Sequence, residues 1–157
     1  MPVWNNFSIW RGRLPHWRAD DVTYFVTFRH SRPLIPDEVR LLVNALIKPD
    51  ARKWDLLIVC VLPERTELLL KMREAPTGTP YELSDIVEKA KAKVGRLIIK
   101  KSGERFPPFY GESYDRIIRD EGELQERWDA IFASPVEFEL VEDPELYDGL
   151  WVADAPA

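Results

Sequence analysis

The sequence predicts an α+β fold built on an antiparallel sheet, and three observations predict it. Residues 54–62 (WDLLIVCVL) are apolar at nearly every position, as a strand buried on both faces requires. Residues 66–72 alternate: Thr66, Leu68, Leu70 and Met72 share one face, while Glu67, Leu69 and Lys71 share the other with Arg65. The join at Pro63-Glu64 is so tight that only antiparallel neighbours can accept it.

Residues 1–20 hold Trp4, Phe7, Trp10 and Trp17 among Arg11, Arg13 and Arg18. Gly12 and Pro15 predict an irregular arm whose aromatics pack on the sheet. The same mixture also suits a nucleic-acid surface. Residues 22–29 (VTYFVTFR) are β-branched and aromatic, a strand composition. After a proline-containing turn, Pro36 stands where a helix can begin. Val39, Leu42, Val43, Leu46 and Ile47 then mark one buried stripe, which Pro49-Asp50 ends. The central strand pair follows.

Residues 74–80 (EAPTGTP) are a loop, and Thr79-Pro80-Tyr81-Glu82 has the spacing of a capping box. The next helical stripe is Leu83, Ile86, Val87, Ala90, Val94, Leu97 and Ile98. Lys89, Lys93, Arg96 and Lys100 fall on its other side, either as a solvated face or as a phosphate-contacting one. Gly95 inside this helix costs about 1 kcal/mol relative to alanine. Residues 113–119 (SYDRIIR) read as a fourth strand. Asp120 caps a third helix, with Glu123 three residues on and a stripe of Leu124, Trp128, Ile131 and Phe132. Ser134-Pro135 predicts its end. Residues 135–157 are expected to form an acidic tail, with 140–141 and 147–151 packing back and 153–157 frayed. The first six elements, β-α-β-β-α-β, match the split βαβ, ferredoxin-like motif: a four-stranded antiparallel sheet with helices on one face, plus the third helix.

At 157 residues the chain is expected to be a single domain. No apolar run approaches the roughly 20 residues of a membrane span. The first residues lack a basic-then-apolar leader pattern, so a cytoplasmic protein is expected. The lone Cys60 excludes an intrachain disulfide and cysteine-type metal sites. The net charge of −5 hides an asymmetry. From Asp120 onward there are twelve acids and one base, or −11, leaving +6 on the first 119 residues. A basic body can hold a phosphate backbone, and the acidic end would repel one or cover the basic face.

Four local motifs carry a family resemblance. They are Arg13-Leu14-Pro15-His16-Trp17 followed by Thr23-Tyr24-Phe25-Val26-Thr27-Phe28-Arg29; Val59-Cys60-Val61-Leu62-Pro63-Glu64 followed by Leu68-Leu69-Leu70; Tyr114-Asp115-Arg116-Ile117-Ile118-Arg119-Asp120; and Ile131-Phe132-Ala133-Ser134-Pro135-Val136. In this order the chain resembles the REP-associated tyrosine transposases, a branch of the single-tyrosine HUH transposases. The resemblance implies a divalent metal, Mg or Mn, held by two histidines one residue apart on a strand. It also implies a helix tyrosine that attacks a DNA phosphate, and a polar metal-binding residue four positions later. Such a metal would stabilise charge at the phosphate.

Carried over position by position, the chemistry is missing. Arg65 and Glu67 stand where the histidines belong, Ala130 where the tyrosine belongs, and Ser134 where the polar residue belongs. A guanidinium has no lone pair to give a metal, and alanine has no nucleophile. Arg65 and Glu67 share a strand face, so an ion pair in place of the metal is expected, and no catalytic residue or cofactor is assigned. His16 and His30 have no metal-ligand spacing; Tyr110 and Tyr114 are nucleophile candidates by type, and Tyr114, inside a strand motif, is read as a packing residue. The leading expectation is a catalytically inactive, transposase-like protein that binds a DNA hairpin or a single strand through Arg11, Arg13, Arg18, Lys89, Lys93, Arg96 and Lys100. The alternatives are an interaction or scaffold protein, acting as a homodimer or with another partner through its acidic end, and an active transposase using other residues.

Overall fold

In the computed structural model the described residues are 8–11, 15–18 and 22–154, and for 8–11 and 15–18 the description is of the backbone alone. Two short strands, β1 (Ser8–Arg11) and β2 (Pro15–Arg18), pair antiparallel with Arg11 opposite Pro15. There follow β3 (Tyr24–Arg29), α1 (Pro36–Ile47), β4 (Trp54–Val61), β5 (Arg65–Met72), α2 (Leu83–Ser102), β6 (Tyr114–Ile117), α3 (Glu121–Glu137) and β7 (Leu150–Val152). The main sheet has the order β6-β3-β5-β4-β7, antiparallel throughout. Its first four members are the split βαβ arrangement expected from the element order.

Alternation along the strands divides the apolar side chains into two cores. Tyr24, Val26 and Phe28 of β3, with Leu68 and Leu70 of β5, face α1 and α2 and form the larger one. Phe25 and Leu69 point the other way, where Ile131, Trp128 and Leu124 of α3 cover them. In β4 the alternation changes phase. Trp54 and Leu56 belong to the larger core, but so do Val59 and Val61. The pairing with β5 shifts between Leu56 and Ile58, and the extra residue, Leu57, turns toward the smaller core. Such a bulge reverses the side-chain phase of everything after it.

Glycine at 95 is explained by packing. A Cβ there would lie 2.7 Å from Pro107 Cβ, so the loop after α2 lies directly on the helix at that point. Gly103 ends α2 with φ of 77°, a left-handed conformation that glycine adopts without strain.

Several expectations are corrected. The sheet has five strands rather than four, because β7 adds to the free edge of β4. Residues 135–157 are therefore not simply a tail. Within the stretch expected as an irregular arm, β1 and β2 form a ladder; Pro15 is tolerated because it opens its strand. Glu82, not Thr79, caps α2, its carboxylate accepting from Ser84 N–H. Finally, α3 runs through Pro135 to Glu137. Asp120 caps α3 as expected, accepting from Glu123 N–H at 2.8 Å.

Candidate functional site

Strand β5 sets Arg65 and Glu67 on the α3 face of the sheet, in line with Leu69. Arg65 Nε lies 2.8 Å from Glu67 Oε1, so the expected ion pair is formed. The N–H is not aimed along that contact, which makes it a charge contact rather than a directed hydrogen bond. The Arg65 guanidinium carbon also stands 4.9 Å from the centre of the Phe138 ring, a cation–π contact. Glu67 is 9% exposed and pairs across the ladder with Cys60 on one side and Thr27 on the other. This donor set does not fit a divalent metal. One carboxylate is present, and the cation beside it opposes a second positive charge. Among the described residues no group of three or more metal-ligating side chains comes together.

Helix α3 sets Ala130 and Ser134 one turn apart. Ala130 is exposed and carries no reactive group. Ser134 is buried, and its hydroxyl donates to the Ile131 carbonyl at 2.7 Å while lying 3.6 Å from Cys60 Sγ. The position of the first bond has a local cause. In a helix the Ile131 carbonyl would accept from the N–H of residue 135, and Pro135 has none. Ser134 supplies the missing donor, which is why the helix survives the proline. Burial pushes the Cys60 thiol up to about 12, so it stays protonated and unreactive.

The basic residues are not all gathered at this place. Lys89, Lys93, Arg96 and Lys100 are exposed along the outer side of α2, as expected, yet α2 covers the opposite face of the sheet from Arg65 and Glu67. Lys93 is crowded by Lys48 of α1's end, which lowers its pKa. Arg11 and Arg18 end β1 and β2, with side chains outside the described residues; Arg13 lies outside them altogether.

One feature next to Arg65 escaped the sequence reading. Arg29, the last residue of β3, pairs directly opposite Arg65. Both line an open cleft of about 670 Å³ with Arg32, Tyr110, Phe138 and Leu140. Arg29 stands 5.9 Å from the Tyr110 ring centre. The floor is held by His30, whose Nδ1–H donates to Pro63 O at 2.7 Å while Nε2 accepts from the Thr66 hydroxyl at 2.9 Å. Burial lowers its pKa to about 4, so this histidine is a neutral strut, not a metal ligand. The signal for the cleft was the ladder register, which a sequence does not print. Tyr114, on the edge strand, is 41% exposed and belongs to neither core.

No family model matches the sequence, and no curated protein matches it. Among solved structures, a REP-associated tyrosine transposase bound to a REP hairpin superposes with a TM-score of 0.63 at 18% identity, covering 87% of this chain and 78% of that one. A candidate transposase from Deinococcus radiodurans superposes with a TM-score of 0.48 at 14% identity, covering 69% of this chain and 87% of that one. The strand order, the two helices on one face and the third across the other therefore make this chain a protein with the fold of the REP-associated tyrosine transposases.

Proposed function

We propose that this protein binds DNA, as a hairpin or a single strand, and does not cut it. The observation that carries the binding half is the exposed row of Lys89, Lys93, Arg96 and Lys100 along α2, crowded further by Lys48. Among the described residues none of these four side chains forms an ion pair, and like charges are brought together there, which favours an extended polyanion. The solved structure of the same fold holds a hairpin, which supports the choice of nucleic acid. The non-cutting half rests on Arg65, Glu67 and Ala130, which offer neither a metal site nor a nucleophile. A cytoplasmic location belongs to the same reading; among the described residues no helix is long and apolar enough to cross a membrane.

The test is a titration of the protein with a DNA hairpin and with a single strand at several salt concentrations, with Mg or Mn present. Four phosphate contacts give a slope of log affinity on log salt of about −3 to −4. Lys93→Glu with Arg96→Glu should weaken binding roughly tenfold or more. Absence of binding at low salt would remove the proposal. A DNA adduct that survives denaturant would remove its non-cutting half.

A second reading has its own observation. The outer side of α3 is acidic at Glu121, Glu126 and Asp129, and Val136, Phe138, Leu140 and Leu146 follow it as exposed apolar residues. That surface suits a protein partner or a second copy of the chain more than DNA. Sedimentation distinguishes the two: a homodimer that ignores DNA favours the second reading.

A further inference from the structure

We infer that the cleft between the end of β3, the β4–β5 turn and the end of α3 takes a nucleoside phosphate, the phosphate lying between Arg29 and Arg65 and the base on Tyr110 or Phe138. This rests on the nucleic-acid reading above and gives it a second, separate contact on the other face of the sheet from the α2 row.

Four observations meet here. First, Arg29 and Arg65 are direct cross-strand partners, with Cα atoms about 4.5–5.5 Å apart in such a ladder. Like charges directly opposite one another destabilise a sheet, so an anion lying between them would be favoured. Second, the protein supplies only part of one. Glu67 touches Arg65, while Arg29 has no carboxylate partner among the described residues. The third arginine of the cleft, Arg32, is already committed to Glu38 and Glu104, both held below the usual carboxylate range by it. Glu64 is the one acid among the lining residues. Third, two aromatic rings stand at the rim, each half exposed, Tyr110 at 51% and Phe138 at 49%. Each already takes one arginine on its ring and leaves surface for a base. Fourth, the cleft is large enough for such a ligand, since about 300–1,000 Å³ is the range of small-molecule sites. Two guanidinium forks converging on one phosphate are the arrangement that planar, charge-assisted hydrogen bonding favours. The guanidinium at position 65, which cannot hold a metal, is suited to holding the phosphate itself.

The experiment is calorimetry on the full chain with four probes: deoxyadenosine 5′-monophosphate, deoxyadenosine, inorganic phosphate and a 5′-phosphorylated single-stranded hexanucleotide. The nucleotide and the phosphorylated strand are expected to compete for one site, and the tighter of the two identifies the source of the phosphate. Deoxyadenosine and inorganic phosphate are each expected to bind at least tenfold more weakly. Arg29→Ala and Tyr110→Ala, both at exposed positions, should each weaken nucleotide binding about tenfold. Lys93→Glu with Arg96→Glu should leave it unchanged while weakening hairpin binding. No nucleotide binding, equal binding of inorganic phosphate, or indifference to Arg29→Ala overturns the inference, even where hairpin DNA still binds along α2. Nucleotide binding by a protein that ignores longer DNA supports the inference and removes the broader proposal instead.

Discussion

The two faces of the sheet differ in what they hold. The face under α1 and α2 is filled by a continuous set of apolar side chains, among them Trp54, Leu42, Leu46, Leu68 and Leu70, each almost wholly buried. The face under α3 has a smaller cluster around Ile58, Leu69 and Ile131, and beside it an ion pair, a thiol and a buried hydroxyl. The first face makes the fold. The second is where polar and charged side chains, Arg65 and Glu67 among them, stand beside the apolar ones. Polar residues can be changed at the edge of the smaller cluster without touching the larger one, because strand alternation sends the two sets of side chains to opposite faces.

Four perturbations bear on this contrast. Leu70→Ala, on the larger core, should destabilise by about 3–5 kcal/mol, and Ile131→Ala, on the smaller, by about 2–3 kcal/mol, because a thinner layer collapses more readily around the void. Denaturant unfolding measures both, and equal losses would break the contrast. The second perturbation is acid. His30 binds no proton in the fold until about pH 4, whereas the unfolded chain binds one near 6.5. The unfolded state is therefore the better proton acceptor in between, and stability falls as pH drops from about 6.5 to 4, by about 3 kcal/mol in all. His30→Gln should flatten that slope; an unchanged slope would place the titrating group elsewhere.

Third, Gly149→Ala would set a Cβ 2.4 Å from the Val61 carbonyl oxygen, so the backbone must move, at about 1–3 kcal/mol. Hydrogen exchange at β7 and at the outer edge of β4 should rise in that variant while β3 stays protected. The smallest effect is expected at the site itself. A double-mutant cycle on Arg65 and Glu67 should give a coupling under about 1 kcal/mol, since Arg65 is 42% exposed. A larger value would mean that the ion pair supports the fold as the apolar core does.

Much of the fold was legible because periodicity and tight turns are local. The stripe from Leu83 to Ile98 (Leu97 excepted, which is exposed), the alternation from Thr66 to Met72 and the cap at Asp120 each lie within one stretch of chain. What was not legible depends on distant partners. Leu150, Trp151 and Val152 become a strand only because β4 offers an open edge, and the three residues carry little pattern of their own. Pro135 reads as a helix stop until Ser134 is seen donating to the Ile131 carbonyl. The opposition of Arg29 and Arg65 follows from the ladder register, set by pairing across 36 positions of sequence. At the site, residue identities could be read directly, and the ion pair of Arg65 with Glu67 followed from their spacing alone. The stacking of Arg65 on Phe138 did not, since it needs the C-terminal end of α3 to arrive there.

The strap formed by Tyr147, Gly149 and β7 has a consequence for solubility. The Tyr147 hydroxyl donates to Val61 O at 2.6 Å, Val61 N–H donates to Gly149 O at 2.8 Å, and Leu150 to Val152 complete the ladder along β4. Together they cover one side of the most apolar strand in the molecule. Shortening the chain before position 147 would leave a row of unpaired amides and carbonyls beside Ile58, Val59 and Cys60, a template on which other molecules can stack. The acidic segment is thus expected to oppose aggregation twice over, by pairing the edge and by carrying negative charge beside it.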